Sequence, residues 1–355
     1  MAEIRLIDLS FRYPGAGTDT LDGLSLQITR GEAHALLGSS GAGKTTLLNL
    51  LCGLLPAPPG RIFFDGRDVG TLAPWARRVT QVFQFPVLYE AMSVAENLAF
   101  PMRELGAAER RRRVSDIAGR LDIGALLALR PARLTLVQKQ LVAIGKALTR
   151  PDVSLVLLDE PLTAAEPEHK WQLRQTLKAV QQELGATMIY VTHDQTEALT
   201  FAERVSVLHE GRILQTASPR TLVEQPTHEY VGYFVGSPGM NLIDGEVRRG
   251  ACLVNGERVG DLDVPDGHCR FGFRAEQATL GAYVAANGLS ATITGVRILG
   301  AERGHRVGLV RAEVNGAEVV TRQMLDGLVP GPASLSVAPQ GLLCFRDGAR
   351  VVPHA

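Results

Sequence analysis

Residues 38–45 read GSSGAGKT, between the apolar run EAHALL and the leucine-rich TLLNLLCGLL. No other stretch narrows the fold as much. A strand that enters a glycine loop and continues as a helix turns backbone amides toward the positive end of that helix, where a phosphate can sit. Gly38, Ser39, Ser40, Gly41, Ala42 and Gly43 are the candidate cradle, and Lys44, Thr45 and Thr46 open the helix. Lys44 offers a mobile charge to terminal phosphates, and the Thr45 hydroxyl is a ligand for Mg²⁺. A glycine loop can also do no more than turn a strand into a helix. The Gly-Lys-Thr ending and the flanking pattern favour the cradle, inside an α/β domain with a partly parallel sheet.

Further along, SLVLLDEP at 154–161 is an apolar strand that delivers two carboxylates at its carboxyl end. Ligands bind at that end of an α/β sheet. Asp159 is the candidate for holding Mg²⁺, and Glu160 the candidate for accepting a proton from an attacking water. IYVTHDQTEAL repeats the geometry with His193, and Asp194 with Glu197 has the spacing of a capping box for the next helix. A lone histidine is usually structural, but this one ends a strand expected beside the carboxylates. Gln84, after TQVF, is placed to reach Mg²⁺ or the attacking water.

Strand signals vanish from about 88 to 150, where Leu, Ala and Arg dominate, so a helical insertion is expected there. Near residue 240 the character changes to short alternating strands with turn pairs Asn255-Gly256, Asn315-Gly316 and Asp347-Gly348. The boundary is set at 240–241, with an all-β domain over 241–355. Basic and acidic residues both number 37, which argues against a chain whose main task is coating nucleic acid. The four cysteines form no Cys-x-x-Cys pair, so neither a zinc site nor a disulfide framework is expected. MAEIRLIDLS lacks the pattern of a signal peptide, and no apolar run approaches the ~20 residues that cross a bilayer. A soluble chain is expected. Trp75 and Trp171 are expected to pack structurally, and ERRRR at 109–113 reads as a solvated helix face or a contact for lipid or a membrane partner. FPVLYEAM at 85–92 reads equally as core or as a docking surface.

Taken in order, these motifs resemble the ATPase subunits of ABC transporters: an aromatic, the phosphate loop, a glutamine loop, a signature, the Asp-Glu strand and a histidine loop. Tyr13 in FRYPG is similar to the aromatic that stacks on adenine, and FGFRAEQ at 271–277 is similar to a segment of the carbohydrate-importer branch. The resemblance implies a P-loop ABC-type nucleotide-binding domain over 1–240, then an OB-like regulatory or dimer-stabilising domain. It implies ATP and Mg²⁺, two integral-membrane permeases, a periplasmic solute-binding protein, and a place on the cytoplasmic face of the inner membrane. TQVFQFPVLYEAMSVAENLAFPMR and EPLTAAEPEHKWQLRQTLK narrow it toward glycerol importers that pair two non-identical ATPases. Importers of glycerol 3-phosphate, polyols or maltose share the architecture. A soluble ABC protein or a non-transport regulatory ATP binder are the readings from other classes.

Two departures stand out. Where the family has Leu-Ser-Gly-Gly-Gln, this chain has Leu134, Thr135, Leu136, Val137 and Gln138. In the family the signature crosses a dimer interface to the partner's γ-phosphate. Thr135 and Gln138 keep a capping box, so the helix should start cleanly, but two bulky residues replace bare backbone. The second departure is Glu166 where the family usually has Asp in the segment that couples the two sites.

Overall fold

Two compact units, Met1–Pro219 and Arg220–Ala355, make up the chain in a computed structural model that describes residues 1–163, 165–281, 288–302, 305–325 and 327–352. The first unit contains β1 (Ile4–Phe11), β2 (Leu21–Ile28), β3 (Ala33–Leu37), α1 (Lys44–Cys52), β4 (Ile62–Phe64), β5 (Arg67–Asp68) and β6 (Val79–Val82). The helices α2 (Val94–Ala99), α3 (Ala107–Arg120) and α4 (Leu136–Thr149) follow. Then come β7 (Leu155–Asp159), α5 (Pro167–Leu184), β8 (Met188–Thr192), α6 (Gln195–Phe201), β9 (Arg204–His209) and β10 (Arg212–Ala217).

One sheet has the order β2-β1-β4-β5, the other β10-β9-β3-β8-β7-β6. In the second, β9, β3, β8, β7 and β6 run parallel. Parallel strands covered on both faces must be apolar throughout, and β3, β8 and most of β7 are fully buried. The register then sets the site. Leu37 lies beside Thr192, and Asp159 beside Val191, so the loops after β3, β8 and β7 leave one edge of the sheet together. Helix α1 buries Leu47, Leu48 and Leu51 with Ile4, Leu6 and Leu26 of the first sheet and Leu36, Leu157 and Ile189 of the second. Each such side chain contributes about 1.5–3 kcal/mol of transfer free energy. Gly53 ends the helix in a left-handed turn, and the buried Arg77 guanidinium donates to the Leu50 and Leu51 carbonyls there. The helical insertion expected between 88 and 150 is present as α2, α3 and α4, with no strand among them.

In the second unit, α7 (Pro219–Glu224) and α8 (Glu229–Phe234) precede β11 (Asn241–Arg248), β12 (Ala251–Val254), β13 (Glu257–Asp261) and β14 (Gly267–Phe273). There follow β15 (Ala278–Gly281), β16 (Leu289–Glu302), β17 (His305–Val314), β18 (Ala317–Met324), β19 (Gly331–Val337), β20 (Leu343–Arg346) and β21 (Ala349–Val351). Two antiparallel sheets, β13-β12-β11-β14-β20-β21 and β15-β19-β16-β17-β18, enclose a core that includes Val247, Phe271, Val310 and Leu335. The three turn pairs read from sequence each join two paired strands, with both residues of every pair in the left-handed region. The packing boundary falls earlier than 240 because Arg274 holds both short helices to the β unit. Its guanidinium donates to the carbonyls of Val223, Gly232 and Val235.

Candidate functional site

Two positions of the loop after β3 have no room for a side chain. A Cβ on Gly38 would lie 2.4 Å from the Leu208 carbonyl oxygen. Gly43 sits at φ 103°, and a Cβ there would lie 2.7 Å from Leu21 Cδ2. Lys44 is only 8% exposed, and its ammonium donates to the carbonyls of Gly38 and Ser39 at 2.8 Å each. Burial lowers its pKa, and the charges of Glu160 and Asp159 act in the opposite direction. The site thus holds a buried cation on two backbone carbonyls, with two carboxylates nearby. Thr45, in the first turn of α1, is exposed, whereas Thr46 is buried and shares a 3.2 Å hydrogen bond with the Tyr13 hydroxyl. Tyr13 itself is 39% exposed and meets Phe11 edge-on at 5.0 Å.

Asp159 ends β7 half-buried, and burial, then the neighbouring charge of Glu160, raises its carboxyl pKa. Glu160 has φ 44°, a left-handed conformation that costs a non-glycine residue ~1–2 kcal/mol. Its amide is anchored to the Val191 carbonyl at 2.9 Å, so the strain is held by the neighbouring strand. One carboxylate oxygen meets His193 Nδ1 at 2.9 Å, and the other accepts from the Thr163 hydroxyl at 3.2 Å. Lys44, Asp159, Glu160 and His193 therefore share one edge of the sheet, as read from sequence. Gln84 lies two residues beyond β6, half-buried, in a bend. Since Val82 pairs with Leu158, that bend leaves the same edge. Gln140 of α4 secures the preceding carbonyl, Phe83, at 3.0 Å.

Thr135 caps α4 as expected: its hydroxyl accepts from the Gln138 amide at 3.2 Å, and the Gln138 side chain accepts from the Thr135 amide at 3.0 Å. The two bulky residues diverge. Leu136 is 44% exposed, while Val137 lines a small apolar cavity with Leu162, Leu173 and Leu177. Glu166 is exposed at the start of α5, makes no capping bond and lies 3.8 Å from His169 Nδ1. Among the described residues, no hydrogen bond or ion pair joins Thr135, Leu136, Val137, Gln138 or Glu166 to the Lys44 group.

Three sequence expectations change. Asp194 does cap α6, accepting from the Thr196 and Glu197 amides, but Glu197 does not reach back. It turns inward, because the Tyr190 and Thr192 hydroxyls need an acceptor and Lys170 supplies a countercharge. The tryptophans are on the surface, Trp75 at 79% and Trp171 at 62% exposure. Trp171 lies roughly 200° around the helix from Leu173, which faces the core. Phe85 and Val87 are likewise exposed, so of the two even readings of this stretch core packing does not hold for them, and the Tyr89 and Phe100 rings meet at a 38° tilt with centroids 4.2 Å apart. In the basic run, Arg112 and Arg113 pair with Glu109, and Arg110 donates to the Arg103 and Leu105 carbonyls. Sequence reasoning missed Thr163. The Glu-x-x-Thr spacing after the strand was the available signal.

The family described as "ABC transporter" matches residues 21–163. A relative named sn-glycerol-3-phosphate import ATP-binding protein UgpC 1, from Rhizobium johnstonii, is 37% identical over 84% of this chain and 82% of its own length. A diacetylchitobiose uptake system ATP-binding protein, MsiK of Streptomyces coelicolor, is 40% identical over 68% of this chain and 66% of its own. Among solved structures, a dimeric post-hydrolysis state of the ATP-binding cassette MJ0796 bound to ADP and Pi superposes with TM-score 0.53 at 26% identity. It covers 61% of this chain and 99% of that one.

Proposed function

The chain belongs to the ABC transporter family, in the carbohydrate-importer ATPase branch, and from that premise we propose that it binds MgATP and hydrolyses it to drive solute import. One observation carries the reading: a buried lysine, a strand-end aspartate and a hydrogen-bonded Glu160–His193 pair converge on a glycine loop. The loop amides and Lys44 hold the phosphates, and Tyr13 stacks on the base. Glu160 takes the proton of the attacking water, and His193 fixes that carboxylate and reaches toward the γ-phosphate. Thr45, Asp159 and Gln84 offer only hard oxygen donors, the set that Mg²⁺ accepts alongside phosphates and water, and they would hold it. When bound, the ion neutralises charge on the phosphates.

The second element of the proposal is asymmetry. Leu136, exposed at the start of α4, stands where a partner's γ-phosphate would need bare amides. Losing such a donor costs ~10²–10³ in rate, and losing a trans-acting charge more, ~10³–10⁵. A homodimer would carry the lesion twice, a pairing with a second, non-identical ATPase once. The intact Lys44, Asp159, Glu160 and His193 set favours the second arrangement. Two permeases, met by the exposed Phe85 and Val87, and a periplasmic solute-binding protein complete the assembly, at the cytoplasmic face of the inner membrane. Among the described residues no helix is long and apolar enough to cross a membrane. Glycerol is the solute we favour, on the signature departure. The UgpC name favours glycerol 3-phosphate as the second reading.

ATPase assays of the purified chain alone and with its partner test this. The lone chain is expected to bind ATP and turn it over slowly, with activity appearing on addition of the partner. High activity of the lone chain, abolished by Leu136→Ala, contradicts the asymmetry.

A further inference from the structure

Beyond the phosphate-facing groups, we propose that Glu197 is a positioning residue for hydrolysis, holding the backbone that carries His193 and tying it through Lys170 to the start of α5. The inference rests on the ATPase reading above. Glu197 is 2% exposed, yet it lies one helical turn from the site. One of its carboxylate oxygens accepts from the Tyr190 and Thr192 hydroxyls, at 3.0 Å each. The other accepts from the Lys170 ammonium at 3.0 Å. Thr192 passes the constraint on, because its hydroxyl also accepts from the Asp194 amide at 3.0 Å. The residues on both sides of His193 are therefore fixed by one carboxylate. The His193 side chain is itself 54% exposed, so packing does little to aim it at Glu160. The hydrogen bond to Glu160 and the backbone that Glu197 holds are what direct it.

The charge balance supports the same conclusion. Glu197 is buried, and the Lys170 ammonium at 3.0 Å is the cation paired with it. Arg174, one turn further along α5, is 6% exposed, and its Nε has no partner among the described residues. Burial and the charge of Glu197 push the Tyr190 hydroxyl pKa well up, so it stays a donor. Helix α5 begins at Pro167, directly after Glu166, four residues before Lys170. The Lys170 amide also donates to the Glu166 carbonyl at 3.1 Å, so the same lysine meets both Glu166 and Glu197.

The test is a double-mutant cycle on ATP turnover by the assembled transporter, with Glu197→Gln, His193→Ala and both together. If Glu197 acts through His193, Glu197→Gln lowers kcat ~10–100-fold with little change in KM for ATP. In the His193→Ala background, read by single-turnover assay, it then costs less than about twofold more. Lys170→Met should behave like Glu197→Gln, and it serves as the cycle partner if Glu197→Gln fails to fold. Equal costs in both backgrounds, or an unchanged kcat, overturn the positioning role while leaving the ATPase reading intact. Full turnover by Glu160→Gln and His193→Ala overturns both.

Discussion

Lys44 is only 8% exposed, and its ammonium rests on the Gly38 and Ser39 carbonyls with the Glu160 and Asp159 charges nearby. Lys44→Ala should abolish ATP binding in a nucleotide titration, whereas Glu160→Gln should keep binding and lower turnover ~10²–10⁴-fold. A substitution at Glu160 that spared turnover would remove it from the chemistry. A second residue-scale prediction concerns Glu32, buried beside His34 under β3. Burial acts to raise its carboxyl pKa, but hydrogen bonds from His34 and Thr29 outweigh it and bring it below the ordinary 4.5. A lowered carboxylate stabilises the fold above its unfolded pKa, and that contribution is lost as pH falls through the folded value. Glu32→Gln should therefore destabilise the protein at neutral pH, with the difference from wild type shrinking toward pH 3, as read by urea unfolding across pH. Asp159, Glu160 and His193 were legible because strand periodicity marks where a strand ends. The strained φ of Glu160 and the inward turn of Glu197 were not. Both depend on what the neighbouring strand and helix present, which no local pattern encodes.

At the scale of elements, the helix after the altered signature is normal. The Thr135–Gln138 box survives because capping needs a hydroxyl and an amide at fixed spacing and is indifferent to Leu136 and Val137 between them. Thr135→Ala should cost about 1 kcal/mol, measured by urea unfolding. Of the two residues, Leu136 is exposed, whereas Val137 is turned toward α5. In the second unit, Arg274 stands in for the missing C-terminal partners of two short helices. Arg274→Leu would strand several carbonyls at once, for a loss of ~2–4 kcal/mol in unfolding free energy. That clamp explains why packing assigns α7 and α8 to the β unit, when composition alone put the change near 240. A buried arginine reads in sequence like any surface arginine, and the tryptophans fail for the converse reason: size predicts burial only when helical phase agrees.

For the whole molecule, the phosphate loop and the Asp-Glu strand predicted the α/β unit, and the Asn-Gly and Asp-Gly pairs predicted the antiparallel unit, because both signals are local. The dimer asymmetry proposed above is not a local signal; the proposal rests on one chain carrying Lys44, Asp159, Glu160 and His193 together with an altered signature. Reconstituting the transporter with the proposed second ATPase and permeases, and measuring ATP-driven uptake, tests this most directly. Glu160→Gln in this chain should abolish uptake, while removal of the corresponding carboxylate in the second ATPase should leave most of it. Equal loss from either substitution, or uptake that survives Glu160→Gln here, would contradict one competent and one degenerate site.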